Sequence, residues 1–330
     1  MDIMQKLAGQ ARKVIQRVVF PDGEDENIIK AACKVAIESI ANVILIGSEK
    51  VINEKAKCLG LDIGGIDITD ISTSARLSAY MSEYSEIRKM PIVVAKRQMG
   101  DPLYYGAMMV RMGDADSMVA GIASDTADML MASEAVIGMR DGISTPSSFF
   151  LMEIPGYKGE EGDMLVFADA AVNTNPSPRC LADIAISTAN STRELLGWEP
   201  RVAMLSFSTK GSSSHPHIDK VIEATELIRS KAPDLAVDGE LQVDAAIIPE
   251  VARKKVGSNS TVAGKANILI FPDLDSANIG YKLVQRLANA KSYGPVIQGF
   301  AKPVSDLSRG ATVDDIVGTT IMVAVMAQAR

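Results

Sequence analysis

Histidine is nearly absent from this 330-residue chain, which holds only His215 and His217. They flank a proline in "SSSHPH". Two imidazoles at that spacing, without further ligands, do not make a zinc site, and the pair reads as part of a polar loop. Cysteine is almost as scarce. Cys33, Cys58 and Cys180 are odd in number and far apart, and no CxxC occurs. A disulfide framework and a cysteine-based zinc site are excluded, and three reduced thiols fit a cytoplasmic protein. In that compartment the sequons at Asn190 and Asn259 carry no meaning. No stretch reaches the ~18 apolar residues of a membrane span. The N-terminal segment has no continuous apolar core of signal-peptide length. A soluble, cytoplasmic protein is expected.

Excess positive charge is missing too. Lys and Arg total 34 against 41 Asp and Glu, a formal net charge of -7. General nucleic-acid binders are usually basic, so that class is disfavoured, although an acidic protein can still hold a local positive pocket. Several phosphate and nucleophile motifs fail residue by residue. Gly264-Lys265 suggests a Walker loop, but Asn259 stands where its first glycine belongs and Ala266 lacks the hydroxyl that magnesium needs. No GxGxxG follows the first apolar run, where "PDGEDEN" offers one glycine among acids, so a nicotinamide-dependent dehydrogenase of the usual kind has no support. No GxSxG elbow is present for a serine hydrolase.

What is present is an ordinary globular composition, 47% hydrophobic and 23% charged, over a length that suits two domains. Short β-branched runs alternate with longer stretches of helical periodicity. "RVVF", "NVILI", "SMVAG", "MLVFAD", "RVAMLSFST", "NILIFPD" and "GPVIQGF" read as strands; "ENIIKAACKVAIESI", "CLADIAISTANSTRELLG" and "KVIEATELIRS" read as helices. "DGELQVDAAIIPEVARKK" reads as a strand running into a helix. The alternation predicts an α/β fold with mostly parallel sheets covered by helices. The stretch from Pro91 to Gly113 is ambiguous between strand and helix. Clusters of Gly, Pro and Ser from Gly138 to Ser148 and again from Ala288 to Pro295 mark two boundaries. They imply a discontinuous first domain, residues 1–143 plus 292–330, and a second domain, residues 144–291. The active site is expected in the cleft between them, where α/β proteins often bind ligands.

The segment "AKPVSDLSRGATVDDIVGTT", Ala301 to Thr320, concentrates unusual chemistry. Thr312 and Asp315 have the spacing of a capping box opening the last helix. On one reading Asp315 caps, Asp314 complements the helix dipole, and Ser308-Arg309 is a solvated turn. On the other, a forked guanidinium, a hydroxyl, a carboxylate and a helix N-terminus together suit a phosphate-bearing substrate and one moving proton.

Together with "RVAMLSFSTKGSSSHP", "DGELQVDAAIIPEVA", "VAGKANILIFPDLDSANIGYKLVQRL", "GPVIQGFAKPVSDLSRG", "FPDGEDENIIKAA", "YSEIRK", "DPLYYGAMMVRMG" and "SMVAGIASDTAD", this segment resembles the phosphate acetyltransferase (phosphotransacetylase) family over nearly the whole chain. The resemblance implies reversible acetyl transfer between coenzyme A and phosphate, with coenzyme A as a substrate, no permanently bound cofactor and no active-site metal. It implies a two-domain subunit resembling isocitrate and isopropylmalate dehydrogenases, usually in a homodimer. The family's catalytic serine–arginine pair falls on Ser308 and Arg309. Its aspartate base falls on Asp315, with Asp314 the less suitable neighbour. A family arginine for anionic groups falls on Arg88, and Thr126 falls among the substrate-binding positions. In the implied mechanism the coenzyme A thiolate attacks the acetyl carbonyl directly in a ternary complex. There are three departures. Met131 and Ala132 occupy the places of a family Arg-Pro, so a phosphate-side cation is lost, and Arg140 is the nearest candidate to replace it. Gly156 stands in place of a family thiol. "RGAT" replaces "RGCS". The alternatives implied are transfer of a larger acyl group, propionyl or butyryl, and a family member whose activity Met131 weakens.

Overall fold

The computed structural model describes residues 3–329. These form two compact units: Met1–Asp141 with Phe300–Arg330, and Gly142–Gly299.

In chain order the first unit opens with α1 (Ile3–Ala11), β1 (Gln16–Phe20), α2 (Glu26–Ile37), β2 (Ala41–Ile46), α3 (Glu49–Cys58) and β3 (Asp67–Thr69). It continues with α4 (Leu77–Arg88), α5 (Ile92–Gln98), α6 (Pro102–Met112), β4 (Ser117–Ala120) and α7 (Thr126–Val136). The second unit contains β5 (Ser147–Glu153), β6 (Met164–Ala168), α8 (Pro178–Leu196), β7 (Arg201–Leu205), α9 (Pro216–Lys231) and β8 (Ala236–Leu241). Then follow α10 (Val243–Ile247), α11 (Pro249–Lys255), β9 (Ile268–Ile270), α12 (Leu274–Leu287) and β10 (Lys291–Gln298). The chain returns to the first unit for β11 (Val304–Asp306) and α13 (Val313–Gln328).

The first unit's sheet has the order β11-β4-β1-β2-β3, and every pair is parallel. The second unit's sheet has the order β10-β5-β6-β9-β7-β8. Its first two pairings are antiparallel and the rest parallel. The mostly parallel α/β fold read from the alternation is the one observed.

The ambiguous stretch after Pro91 is helical. Ala95, Met99 and Leu103 recur four apart and are buried, whereas Ile92, Val93 and Val94 face out. Burial at the helical period outweighs the β-branched preference of the exposed residues. Between α5 and α6 the chain restarts at Asp101, whose carboxylate accepts the Leu103 amide at 2.8 Å ahead of Pro102 at the first helical position. Gly106 lets α6 approach the sheet. A Cβ there would sit 3.0 Å from Pro21 and 3.2 Å from the Met118 sulfur.

α13 is buried nearly all round, from Ile316 to Met326, and packs against α1, α2, β1 and β4. A helix apolar on every side is a core helix. Because β1, β4 and β11 run parallel and adjacent, their C-terminal ends share one edge of the sheet. That edge carries Asp22, the 121–125 loop and the 307–312 loop.

Candidate active site

Hydrogen bonds tie these three strand ends together. Asp22, just past β1, accepts the Gly121 amide at 2.9 Å and the Ile122 amide at 3.1 Å from the end of β4. Thr126, the first residue of α7, donates its hydroxyl to Asp306 Oδ2 at the end of β11. Arg309 Nη2, in the loop leading to α13, pairs with Asp125 at the head of α7. Gly121 is needed where the first two ties cross. Its φ is +116°, and a Cβ there would overlap Asp306 Oδ1 and come within 2.6 Å of the Leu307 carbonyl.

The N-cap of α7 is unusual. Asp125 holds the N-cap position but makes no side-chain bond to its own helix, because its carboxylate is turned to Arg309. The first amides of α7 therefore have no capping carboxylate. Such amides, with the dipole behind them, favour an anion. Arg309 and Asp125 are both well exposed, at 71% and 67% of their side chains, so the guanidinium stays open to solvent and ligand. Ser308 beside it is also exposed.

Asp315 completes a capping box at α13. Its Oδ2 accepts the Thr312 amide at 2.9 Å and the Thr312 hydroxyl at 2.7 Å, and its own amide donates to Thr312 Oγ1 at 3.2 Å. Its exposed carboxylate sits six residues beyond Arg309 at a helix start. Asp314 is engaged elsewhere, by Lys34 Nζ at 2.8 Å, and that bond raises the Lys34 pKa.

The same edge carries a second acidic pair, Asp306 buried and Asp22 half-buried. Asp306 is 7% exposed, and its Oδ1 has no hydrogen-bond partner among the described residues. Burial pushes its carboxyl up to about 6; the Thr126 hydroxyl and the Leu307 amide oppose this, and the Asp22 charge adds to it. Burial also raises Asp22, against the pull of the Gly121, Ala123 and Ile122 amides.

Beside this edge a cavity of about 430 Å³ is lined by Asp22, Asp101, Tyr104, Ser124, Asp128 and Met131, among others. Burial raises the Tyr104 hydroxyl, the Asp101 charge adds to this, and the charge of Arg88, the last residue of α4, pulls it the other way. Met131 is on α7 and 56% exposed. A cation at its place would face the cavity, whose lining residues are acidic and uncharged only. Arg140 lies beyond the C-terminal end of α7. The helix axis puts that end roughly 15 Å from Thr126. Gly156 falls in a turn of the second unit, with φ +86°.

Of the residues singled out in sequence, Ser308, Arg309 and Thr126 gather at one sheet edge. Asp315 opens the adjoining helix, and Arg88 ends α4, its charge bearing on Tyr104 of the neighbouring cavity. The two histidines do not form a loop of their own: His215 caps α9, its Nδ1 accepting the His217 amide at 3.2 Å. Among the described residues no group of three or more His, Cys, Asp or Glu is placed to hold a metal ion. No described helix is long and apolar enough to cross a membrane.

Sequence reasoning missed Asp22, Asp125 and Asp306. A signal for them was present, since each stands at or shortly after the end of a buried β-branched run in an α/β chain. That is where such folds keep ligand-handling groups.

The chain is similar to known proteins in both sequence and fold. The family described as phosphate acetyl/butaryl transferase matches residues 2–324. A phosphate acetyltransferase of Acetivibrio thermocellus is 46% identical over 331 residues, covering 99% of each chain. A solved phosphotransacetylase from Streptococcus pyogenes superposes with a TM-score of 0.93 at 38% identity, covering 99% of this chain and 98% of that one. A putative 4-hydroxythreonine-4-phosphate dehydrogenase from Salmonella typhimurium, 11% identical, shares the fold at a TM-score of 0.56 over 95% of this chain and 99% of that one. That last likeness speaks for the fold alone.

Proposed function

The chain belongs to the phosphate acetyl/butaryl transferase family, and on that premise we propose that it acts as a phosphate acetyltransferase, interconverting acetyl-coenzyme A and phosphate with acetyl phosphate and coenzyme A. It is an acyltransferase enzyme. The observation that carries the reading is the head of α7, where Asp125 turns away from its helix to hold Arg309. A forked cation, with a serine hydroxyl on the preceding residue, then stands at a helix N-terminus, an arrangement suited to a phosphoryl group.

In the forward step the coenzyme A sulfur attacks the acetyl carbonyl of acetyl phosphate. A thiol ordinarily ionises at about 8.5 and a carboxylate at about 3.9, so an ordinary carboxylate is a weak base for it. Arg309 and the start of α13 narrow that gap by favouring the thiolate. Asp315 receives the proton. Arg309, with Ser308, stabilises the negative charge that develops on the carbonyl oxygen, while Thr126, Arg88 and the α7 amides hold the phosphate. Holding both substrates in one ternary complex supplies the proximity, so no acyl-enzyme is needed.

Coenzyme A and acetyl phosphate are thus substrates, and the proposal includes no resident cofactor or metal. We place the enzyme in the cytoplasm as a homodimer. Ile279, Leu283 and Leu287, four apart on α12 and exposed at 59%, 52% and 81%, support self-association. Sedimentation of the purified protein reads the oligomeric state.

The test is direct: purified protein, coenzyme A and acetyl phosphate, followed by thioester absorbance. Thioester formation dependent on both substrates is expected, and its absence would falsify the reading.

A further inference from the structure

The proposed reaction handles a proton at two places. The thiol loses one as sulfur attacks, and the departing phosphate oxygen gains one as its bond to the acetyl carbon breaks. In the reverse direction a hydrogen phosphate must lose a proton as it attacks. Asp315 serves the sulfur, which leaves the phosphate oxygen without a partner.

We propose that Thr126 and Asp306 form the proton station for the phosphate oxygen, with Thr126 touching the phosphate and Asp306 acting through it. This rests on the reading in the previous subsection. Three features of the geometry carry it. Thr126 begins the helix whose free amides and Arg309 mark the anion position, so its hydroxyl lies where a phosphate would be held. Its proton is already directed at a carboxylate, Asp306 Oδ2. That carboxylate is more than nine-tenths buried, and its second oxygen has no partner among the described residues. A structural carboxylate in that position would be expected to have both oxygens satisfied.

The step balances. As the acetyl C–O bond breaks, its electron pair goes to the phosphate oxygen. That oxygen takes the Thr126 hydroxyl proton, and Thr126 takes the proton of the carboxylic Asp306. Sulfur forms its bond to the acetyl carbon and yields its proton to Asp315. Hydrogen phosphate leaves, Asp306 is ionised and Asp315 is protonated; both reset by exchange with solvent. In reverse, Thr126 accepts the proton of the attacking hydrogen phosphate as its own moves to Asp306.

The charged groups around Asp306 suit this. Asp22, from the end of β1, bears on it directly. Asp125 and Arg309 neutralise one another at the mouth. A pair of acids lifted toward neutrality matches a phosphate oxygen better than an ordinary carboxylate does.

The test measures kcat and KM in both directions, from about pH 5 to about pH 9, for the wild type and five variants. Asp306→Asn and Thr126→Val are each expected to lower kcat on the order of 100-fold in both directions, the usual scale of acid–base assistance. KM for coenzyme A should change by less than about threefold, because the station faces phosphate. Thr126→Ser should restore most of the rate. In the direction of phosphate attack, an acid limb near pH 6 in the wild type should be missing from Asp306→Asn, and Asp22→Asn should move it to lower pH. The double variant Asp306→Asn/Thr126→Val should be no slower than either single one. Wild-type kcat and an unshifted limb in folded Asp306→Asn would overturn the proposal, as would wild-type kcat in Thr126→Val. If Asp306→Asn does not fold, Thr126→Val decides alone, since it leaves β11 untouched. A wild-type protein without phosphate-dependent turnover of acetyl-coenzyme A would instead overturn the underlying function, and that result is distinct from any variant's.

Discussion

Asp125 sits at the N-cap of α7 and pairs with Arg309 instead of capping its own helix. One residue thus holds the forked cation and leaves the start of α7 without a side-chain cap.

Arg309→Ala should lower kcat at least about 100-fold, since removing one donor to a developing oxyanion typically costs about 3–4 kcal/mol of barrier. Asp125→Ala should lower kcat by about tenfold by releasing the guanidinium, without raising KM for acetyl phosphate, because a negative charge is removed as well. Stability should change by less than about 1 kcal/mol, as expected when an exposed ion pair is lost. Steady-state kinetics and a thermal melt check both parts.

Asp315→Asn separates the capping role from the chemical one. An amide oxygen can still accept from the Thr312 backbone, so unfolding free energy should shift by no more than about 1 kcal/mol. The turnover of coenzyme A with acetyl phosphate should nevertheless fall about 100-fold or more. Equal losses of stability and rate, or a near-normal rate, would return Asp315 to a purely structural role.

Asp306 makes stability depend on pH with a definite sign. Its folded value, about 6, lies above the ordinary aspartate value of 3.8. The protonated form is therefore favoured by folding. Its contribution is fully present below about pH 4 and is lost as pH rises through about 6. The difference of 2.2 units corresponds to an upper bound of about 3 kcal/mol. Asp306→Asn should thus raise the melting temperature at pH 8 and leave it nearly unchanged at pH 4. Thermal unfolding at the two pH values measures this, and a variant less stable at pH 8 contradicts it.

Met131→Arg should restore a cation to the cavity wall shared with Asp128 and Ser124. KM for acetyl phosphate is expected to fall by about fivefold to tenfold, about 1–1.4 kcal/mol of added binding, with kcat changed much less. A comparison across acetyl, propionyl and butyryl phosphate in the same variant shows whether the wild-type residue also affects acyl choice. One methylene is worth only about 1–3 kcal/mol, so the preference should be graded rather than absolute.

Much of this was legible in the chain itself. Buried β-branched runs broken by helical periods specify a parallel α/β sheet because those two burial periods are incompatible with other layers. The Thr312–Asp315 spacing specified the start of α13, since a cap is a contact between residues three apart. Ser308, Arg309, Thr126, Asp315 and Arg88 were named as site candidates through the family resemblance of their segments. Where sequence was equivocal, as after Pro91, the deciding term was which residues found something to pack against, and that is not a local property.

The sequence by itself determined most of the elements, the cap of α13 and the residue types available for chemistry, because these rest on interactions within a few positions of the chain. Only the tertiary structure decided that Asp22, Asp125, Thr126, Asp306 and Arg309 share one edge. They come from three strand ends separated by up to about 290 residues, and parallel pairing of β1, β4 and β11 is what brings those ends together. It also decided that one acid would be exposed beside a guanidinium and another buried with an oxygen unpartnered. Solvent access and neighbouring charge set the proton affinity of a carboxylate, and both are properties of the folded surface.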